Sequence, residues 1–293
     1  MRLGKPPRFV ASFEPPVYCS QNAMSPAKVA VIGGSGLYRL GLLAGAEPVN
    51  LHTPYGPHSD GLVMGCLAGR KIAFLPRHGL SHRLPPHKVP YRANIWALRE
   101  LGVERVVALS AMGGLRPDYE IGDLVITDQF IDWTRGRECT FFDGPRVVHT
   151  SMADPFCPEL RGILARAAEA AGFRVHTSGT ALTFEGPRFS TRAESRIFRD
   201  ILGADLLSMT QVPEVVLARE LGMCYATCAV VTDLDVWGAA PVRADEVTQV
   251  MKRAEPKLAE LLSRAIPEIP EARSCGCAEA VREALGERKE EER

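Results

Sequence analysis

A chain of 293 residues that is 46% hydrophobic is long enough to bury a substantial core, as one large domain or two small ones. Its 35 Lys and Arg balance 35 Asp and Glu, so no bulk positive field argues for nucleic acid, and no basic amphipathic run argues for a membrane surface. No apolar run reaches the roughly 18 residues of a transmembrane helix, so the expectation is a soluble, cytoplasmic protein whose charge-based chemistry is local.

Residues 1–23 (MRLGKPPRFVASFEPPVYCSQNA) are rich in Pro and lack periodicity, and read either as a disordered extension or as the product of a start assigned upstream of Met24, which precedes the first clear strand, KVAVIGG. From there to residue 270, short Val- and Ile-rich runs alternate with longer helical patterns, the signature of an α/β sheet covered by helices. The expected strands are Val29–Ile32, Leu62–Leu67 paired with Lys71–Leu75 across AGR, Val106–Ser110, Leu124–Thr127, Thr180–Phe184, Leu206–Met209 and Tyr225–Val231. The expected helices are Arg92–Leu101, Glu159–Ala171, Arg192–Ile201, Pro213–Leu221 and Ala244–Ile266, with a charged one from Ala278. No internal repeat and no linker divides this region, so residues 24–270 read as one doubly wound domain. Residues 271–293 read as a Cys-X-Cys followed by a charged helical tail.

Eight cysteines (Cys19, Cys66, Cys139, Cys157, Cys224, Cys228, Cys275 and Cys277) in so large a chain lack the density of a secreted disulfide scaffold. Cys224 and Cys228 lie in an apolar segment and read as small hydrophobes. The pair in SCGC is compatible with a strained local disulfide, with pairing to other cysteines or with a metal site. A four-ligand zinc site normally needs a second such pair, and the spacing shows none, so no metal is expected.

Three small-residue breaks follow expected strands, where ligands of α/β sheets collect. VIGGSGLYRL lacks the third Gly of a dinucleotide fingerprint and the Gly-Lys-Ser/Thr of a P-loop. Its glycines around Ser35 suit either a tight turn or a backbone nest for one phosphate. FLPRHGLSHRLPPHKVPYRAN carries Arg77, His78, His82, Arg83 and His87. Its Gly and Pro residues argue against a helical zinc pair, leaving a solvated basic loop or an Arg-His clamp for phosphate. SAMGGL offers Ser110 and the Ala111 N–H ahead of Gly113 and Gly114, as a tight turn or an anion cradle. Together the three converge on inorganic phosphate or a phosphate monoester.

GGSGLY, RHGLSHRLPPHKVPYRANIWAL, SAMGGL, GDLVITDQFID, EGPRFSTRAE, MTQVPEVVLARELG and TDLDVW occur in the order found in the trimeric purine nucleoside phosphorylase family. The chain resembles that family over roughly residues 28–270, and within it the branch that cleaves 5′-methylthioadenosine. The resemblance implies an α/β fold with a central mixed, partly barrel-like β-sheet flanked by helices. It also implies phosphorolysis at C1′ of a purine nucleoside, no cofactor beyond the phosphate co-substrate, and a homotrimer or a dimer of trimers. Carried over residue by residue, it places phosphate on Ser35, Arg77, His78, Ser110, Ala111 and Thr210, the ribose on Met209, and the purine beside Phe189. His82 and Val247 match residues around the 5′ substituent. It further implies that Cys275 and Cys277 can be oxidised, as in heat-stable archaeal members.

Two positions address the base. The 6-oxopurine branch carries a Glu after GPxF and an Asn at a strand end; this chain carries Ser190 and Asp233. Neutral adenine has no N1 proton to give, whereas a carboxyl group can accept from its 6-amine and donate to N7. Asp233 is therefore the expected general acid, raised by burial and by its neighbour Asp235. The alternatives are a general purine nucleoside or methylthioinosine phosphorylase, a hydrolytic nucleosidase, and a non-catalytic nucleoside-binding protein.

Overall fold

The computed structural model describes residues 27–34, 42–238 and 240–286. Among these an 11-stranded mixed sheet forms the centre, with helices packed on it. Strands β1 (Val29–Gly33), β6 (Arg70–Pro76), β7 (Arg105–Gly114) and β13 (Cys224–Asp233) run parallel as its spine, in the order β6, β1, β7, β13. Their Val and Ile runs are buried on both faces, as a helix-covered parallel sheet requires. β5 (Val63–Leu67) returns antiparallel to β6 through Ala68 and Gly69, the hairpin expected across AGR, and β2 (Ala44–Pro48) extends that edge.

The other edge curls. β8 (Leu124–Ile126) lies antiparallel to β13, and β10 (Val175–His176) lies parallel to β8. The far end of β7 leaves β1 and pairs at Gly113 and Gly114 with β12 (Leu206–Ser208), which carries β11 (Thr180–Phe184) and then β9 (Gln129–Trp133). β7 thus serves two directions of sheet, which gives the partly barrel-like form. A separate pair, β3 (His52–Thr53) and β4 (Gly56–Pro57), completes the strands.

Helices Pro158–Ala170 and Ala244–Glu268 pack on one face of the spine, and Tyr91–Glu100 and Gln211–Glu220 on the other. The helix Arg192–Arg196 opens with a capping box: Thr191 Oγ1 accepts from Glu194 N at 3.1 Å, and Glu194 Oε2 accepts from Thr191 N at 2.8 Å. It continues as a π turn, Ile197–Ile201.

The segment after helix Ala244–Glu268 crosses beneath the sheet. Buried Arg105, at the start of β7, donates to Glu271 O at 3.4 Å and Ala272 O at 2.9 Å and pairs with Glu159 at 3.0 Å. Arg273 donates to Gly222 O at 2.7 Å. The helix Glu279–Leu285 follows.

This crossing corrects the reading of the cysteines. Cys275 and Cys277 meet a second pair, Cys157 and Cys224, with all four sulfurs within 4.8 Å of one another and Cys224 Sγ 3.3 Å from Cys275 Sγ. The pair missing from local spacing comes from the start of one helix and the start of β13, which only the fold brings together. Four sulfurs are enough in number for a tetrathiolate or for two disulfides. Thiols of Cys224 and Cys277 donate to Cys157 and hold its pKa down, and the same contact pushes Cys224 up.

Candidate active site

A cavity of about 990 Å³ opens at the carboxyl ends of β6, β7 and β13. It lies where an open parallel sheet gathers strand-end side chains and backbone groups. Arg77, His78, Ser110, Ala111 and Thr210 line it, together with Met209, Phe189, Asp233, Asp235, His82 and Val247. Ser35 lies outside the described residues.

At one end of the cavity, Arg77 follows β6 directly and is buried. Burial alone would pull its pKa down, but the Glu214 carboxylate more than offsets this, so the guanidinium stays charged. Ser110 and Ala111 belong to β7, which runs unbroken to Gly114. The expected turn at Gly113–Gly114 is absent: the strand continues because β12 and β13 pair with it there. Gly113 meets a different need, since a Cβ there would sit 2.8 Å from Asp233 Oδ1. Ser110 Oγ is buried with no hydrogen-bond partner among the described residues, and so is a free polar group aimed at whatever fills this end.

In the expected Arg-His clamp, His78 presents an acceptor to the cavity rather than a donor. Its Nδ1 is 2.7 Å from Leu84 O, so that nitrogen carries the hydrogen and Nε2 presents a lone pair. Burial, and then the charge of Arg77, lower its pKa to about 4. The imidazole is neutral at pH 7, and Nε2 accepts. His82 stacks on it, with ring centroids 4.6 Å apart.

At the other end, Asp233 closes β13 just past an irregularity in its pairing with β7. Its Oδ1 accepts from Asp235 N at 2.9 Å and its Oδ2 from Thr232 Oγ1 at 2.9 Å. Burial nevertheless outweighs both bonds, and with the charge of Asp235 it raises the Asp233 pKa. Asp235 is buried, with φ +47°. Its Oδ1 accepts from Ser190 Oγ, while Oδ2 has no partner among the described residues. Ser190 therefore acts on Asp235 rather than lining the cavity.

Gly186, with φ +62°, leaves room for Met209, whose Sδ would lie 2.7 Å from a Cβ there. Sequence reasoning stopped on the long helix at Val247, yet Thr248, Met251, Lys252, Glu255 and Leu258 also line the cavity. Most of them continue the face of Ala244 and Val247 at helical spacing, a signal available in the sequence. Thr232, beside Asp233, was missed as well.

Residues 28–267 match the model of the phosphorylase superfamily. The chain belongs to the phosphorylase superfamily. Among its relatives, the S-methyl-5′-thioadenosine phosphorylase of Pyrococcus furiosus is 58% identical over 255 residues, covering 87% of this chain and 98% of that protein. The enzyme of the same name from Thermofilum pendens is 56% identical over 262 residues, covering 89% of this chain and all of that protein. Among solved members, a methylthioadenosine phosphorylase from an antarctic soil metagenomic library is 44% identical with a TM-score of 0.84, covering 88% of this chain and 92% of that one. The Schistosoma mansoni methylthioadenosine phosphorylase, solved with adenine, is 38% identical with a TM-score of 0.81, covering 90% and 99%.

Proposed function

We propose that the chain cleaves 5′-methylthioadenosine by phosphorolysis, giving adenine and 5-methylthioribose 1-phosphate. The observation that carries this reading is one cavity with two unlike ends. A buried guanidinium and an unpartnered hydroxyl, Ser110, face a buried carboxyl with raised pKa, Asp233. The relatives named above support the choice of nucleoside.

Phosphate is held by Arg77, Ser110, the Ala111 N–H and Thr210, with Ser35 completing the set. His78 Nε2 accepts a hydrogen bond from the hydroxyl of monohydrogen phosphate, which keeps its proton. A phosphate oxygen bonds to C1′ as the C1′–N9 bond breaks, and its negative charge stabilises the oxocarbenium-like centre. The electron pair of the broken bond passes into the purine, and Asp233 gives its proton to N7, so adenine leaves neutral. Asp235, oriented by Ser190, accepts the 6-amine on its free Oδ2. Met209 packs beneath the ribose and Phe189 beside the base, while His82 and Val247 face the 5′ group. No metal or organic cofactor has a part in these steps.

A homotrimer, or a dimer of trimers, belongs to the same proposal, supported by exposed apolar side chains such as Trp133, Val147 and Ile201. So does a cytoplasmic location; among the described residues no helix is long and apolar enough to cross a membrane. The deciding assay measures adenine release from methylthioadenosine with and without phosphate, beside inosine. Phosphate-dependent adenine release with little turnover of inosine is expected. Release without phosphate would make the protein a nucleosidase, preference for inosine would refute the argument from Asp233, and no release would end the proposal.

A further inference from the structure

Arg77 enters the anion end with its orientation already decided by two buried groups that the chemistry above leaves unused. Glu214 accepts from Arg77 Nε and, at 2.9 Å, from Nη2, while Arg77 Nη1 donates to Leu109 O at 3.3 Å. These bonds occupy three of the five guanidinium N–H groups and leave two. Tyr225 Oη in turn donates to Glu214 Oε2 at 2.8 Å. The side chains of Arg77 and Glu214 are 4% and 1% exposed, so water does not compete for these bonds.

Three separate elements meet here: the end of β6, the first turn of helix Gln211–Glu220 and the start of β13. That helix starts from Thr210, itself among the proposed phosphate ligands. Thr210 and Glu214 thus lie four residues apart on one segment, bent at Val212, which carries both a phosphate hydroxyl and the anchor of the phosphate guanidinium.

We propose that Glu214, itself held by Tyr225, is a positioning residue that aims the two remaining N–H groups of Arg77 at the attacking phosphate. The proposal rests on the phosphorolytic reading above. Net charge and orientation make opposite demands at this place. The Arg77–Glu214 pair is neutral overall, so Glu214 weakens the field that draws an anion in. If charge governed phosphate binding, removing the carboxylate would tighten it. If the direction of two N–H groups governs, removing the carboxylate weakens it, because the freed guanidinium turns.

The test compares Glu214→Gln and Tyr225→Phe with the wild-type enzyme, measuring KM for phosphate and for methylthioadenosine separately, and kcat. Glu214→Gln is expected to raise KM for phosphate by more than about tenfold, and Tyr225→Phe, which alters no charge, by about three- to fivefold. KM for the nucleoside stays within about twofold in both, a split that general loss of packing would not produce. Lower phosphate KM in Glu214→Gln, unchanged phosphate KM in Tyr225→Phe, or equal rises in both KM values would each overturn the proposal. Should Glu214→Gln fail to fold, Tyr225→Phe decides alone. Turnover by the wild-type enzyme without phosphate would instead sink the phosphorolytic reading, and that outcome is visible before any variant is made.

Discussion

Asp233→Asn is the most direct perturbation of the proposed chemistry, because the surroundings of Asp233 suit an amide. Asn Oδ1 keeps the bond from Asp235 N, 2.9 Å from the carboxylate oxygen it replaces. Its Nδ2 meets Thr232 Oγ1, whose own hydrogen can turn to Met112 O at 3.3 Å. The variant is therefore expected to fold, and to keep a donor near N7 while losing the transferable proton. General acid catalysis is typically worth 10²–10⁴ in rate, so kcat should fall by that range, about 3–5 kcal/mol of barrier, with nucleoside KM within a few-fold. The pH profile supplies the sign. The working form of Asp233 is protonated and its pKa is raised, so wild-type kcat declines as pH climbs through that value, and Asp233→Asn lacks this limb. Stopped assays of adenine release from acid to alkaline pH read both quantities. If the variant retains more than a tenth of wild-type kcat, or keeps the alkaline limb, Asp233 is not the acid.

Gly113→Ala would push a methyl to 2.8 Å from Asp233 Oδ1; kcat should fall at least ~10-fold while phosphate KM holds, and equal effects on both would argue against a local displacement. His78 is buried neutral, with its pKa lowered from 6.5 to about 4, so the stability linked to it is present above pH 6.5 and lost as pH falls towards 4. That loss amounts to about 3 kcal/mol, and urea midpoints that fall equally with pH in wild type and His78→Gln would contradict it. A mild oxidant added to the reduced native protein should consume thiols from Cys157, Cys224, Cys275 and Cys277, raising the thermal midpoint; peptide mapping that finds all four still free would reject this.

The parallel spine was legible because its strands are Val- and Ile-rich runs buried on both faces. β9 was not: QFIDW mixes polar and apolar side chains, is only partly buried, and becomes a strand because β11 supplies its ladder. Gly113 and Gly114 resembled a turn, since a sequence shows that a side chain is absent but not which neighbour needs the space. In the site, the strand-end breaks pointed to Arg77 and Ser110, the family resemblance pointed to Asp233 and its companions, and the fold brings them to one cavity. What the breaks and the resemblance omit is the second partner of each group. The direction of the His78 N–H depends on Leu84 O, the service of Ser190 to Asp235 on a left-handed residue, and the cysteine quartet on a crossing segment far along the chain.

That crossing segment also constrains the order of assembly. Arg105 leaves the ribosome long before Glu271 and Ala272, whose carbonyls it needs once it is fully buried beneath the sheet. Until they arrive, Arg105 has the carboxylates of Glu159 and Glu104 nearby but not these carbonyls, and Cys157 and Cys224 lack their later companions. A nascent chain can therefore lay down the spine, but it cannot seal its lower edge until almost the whole sequence has been translated. The groups that lock this end of the sheet, at residues 271–277, thus come later in the chain than every residue that lines the catalytic cavity.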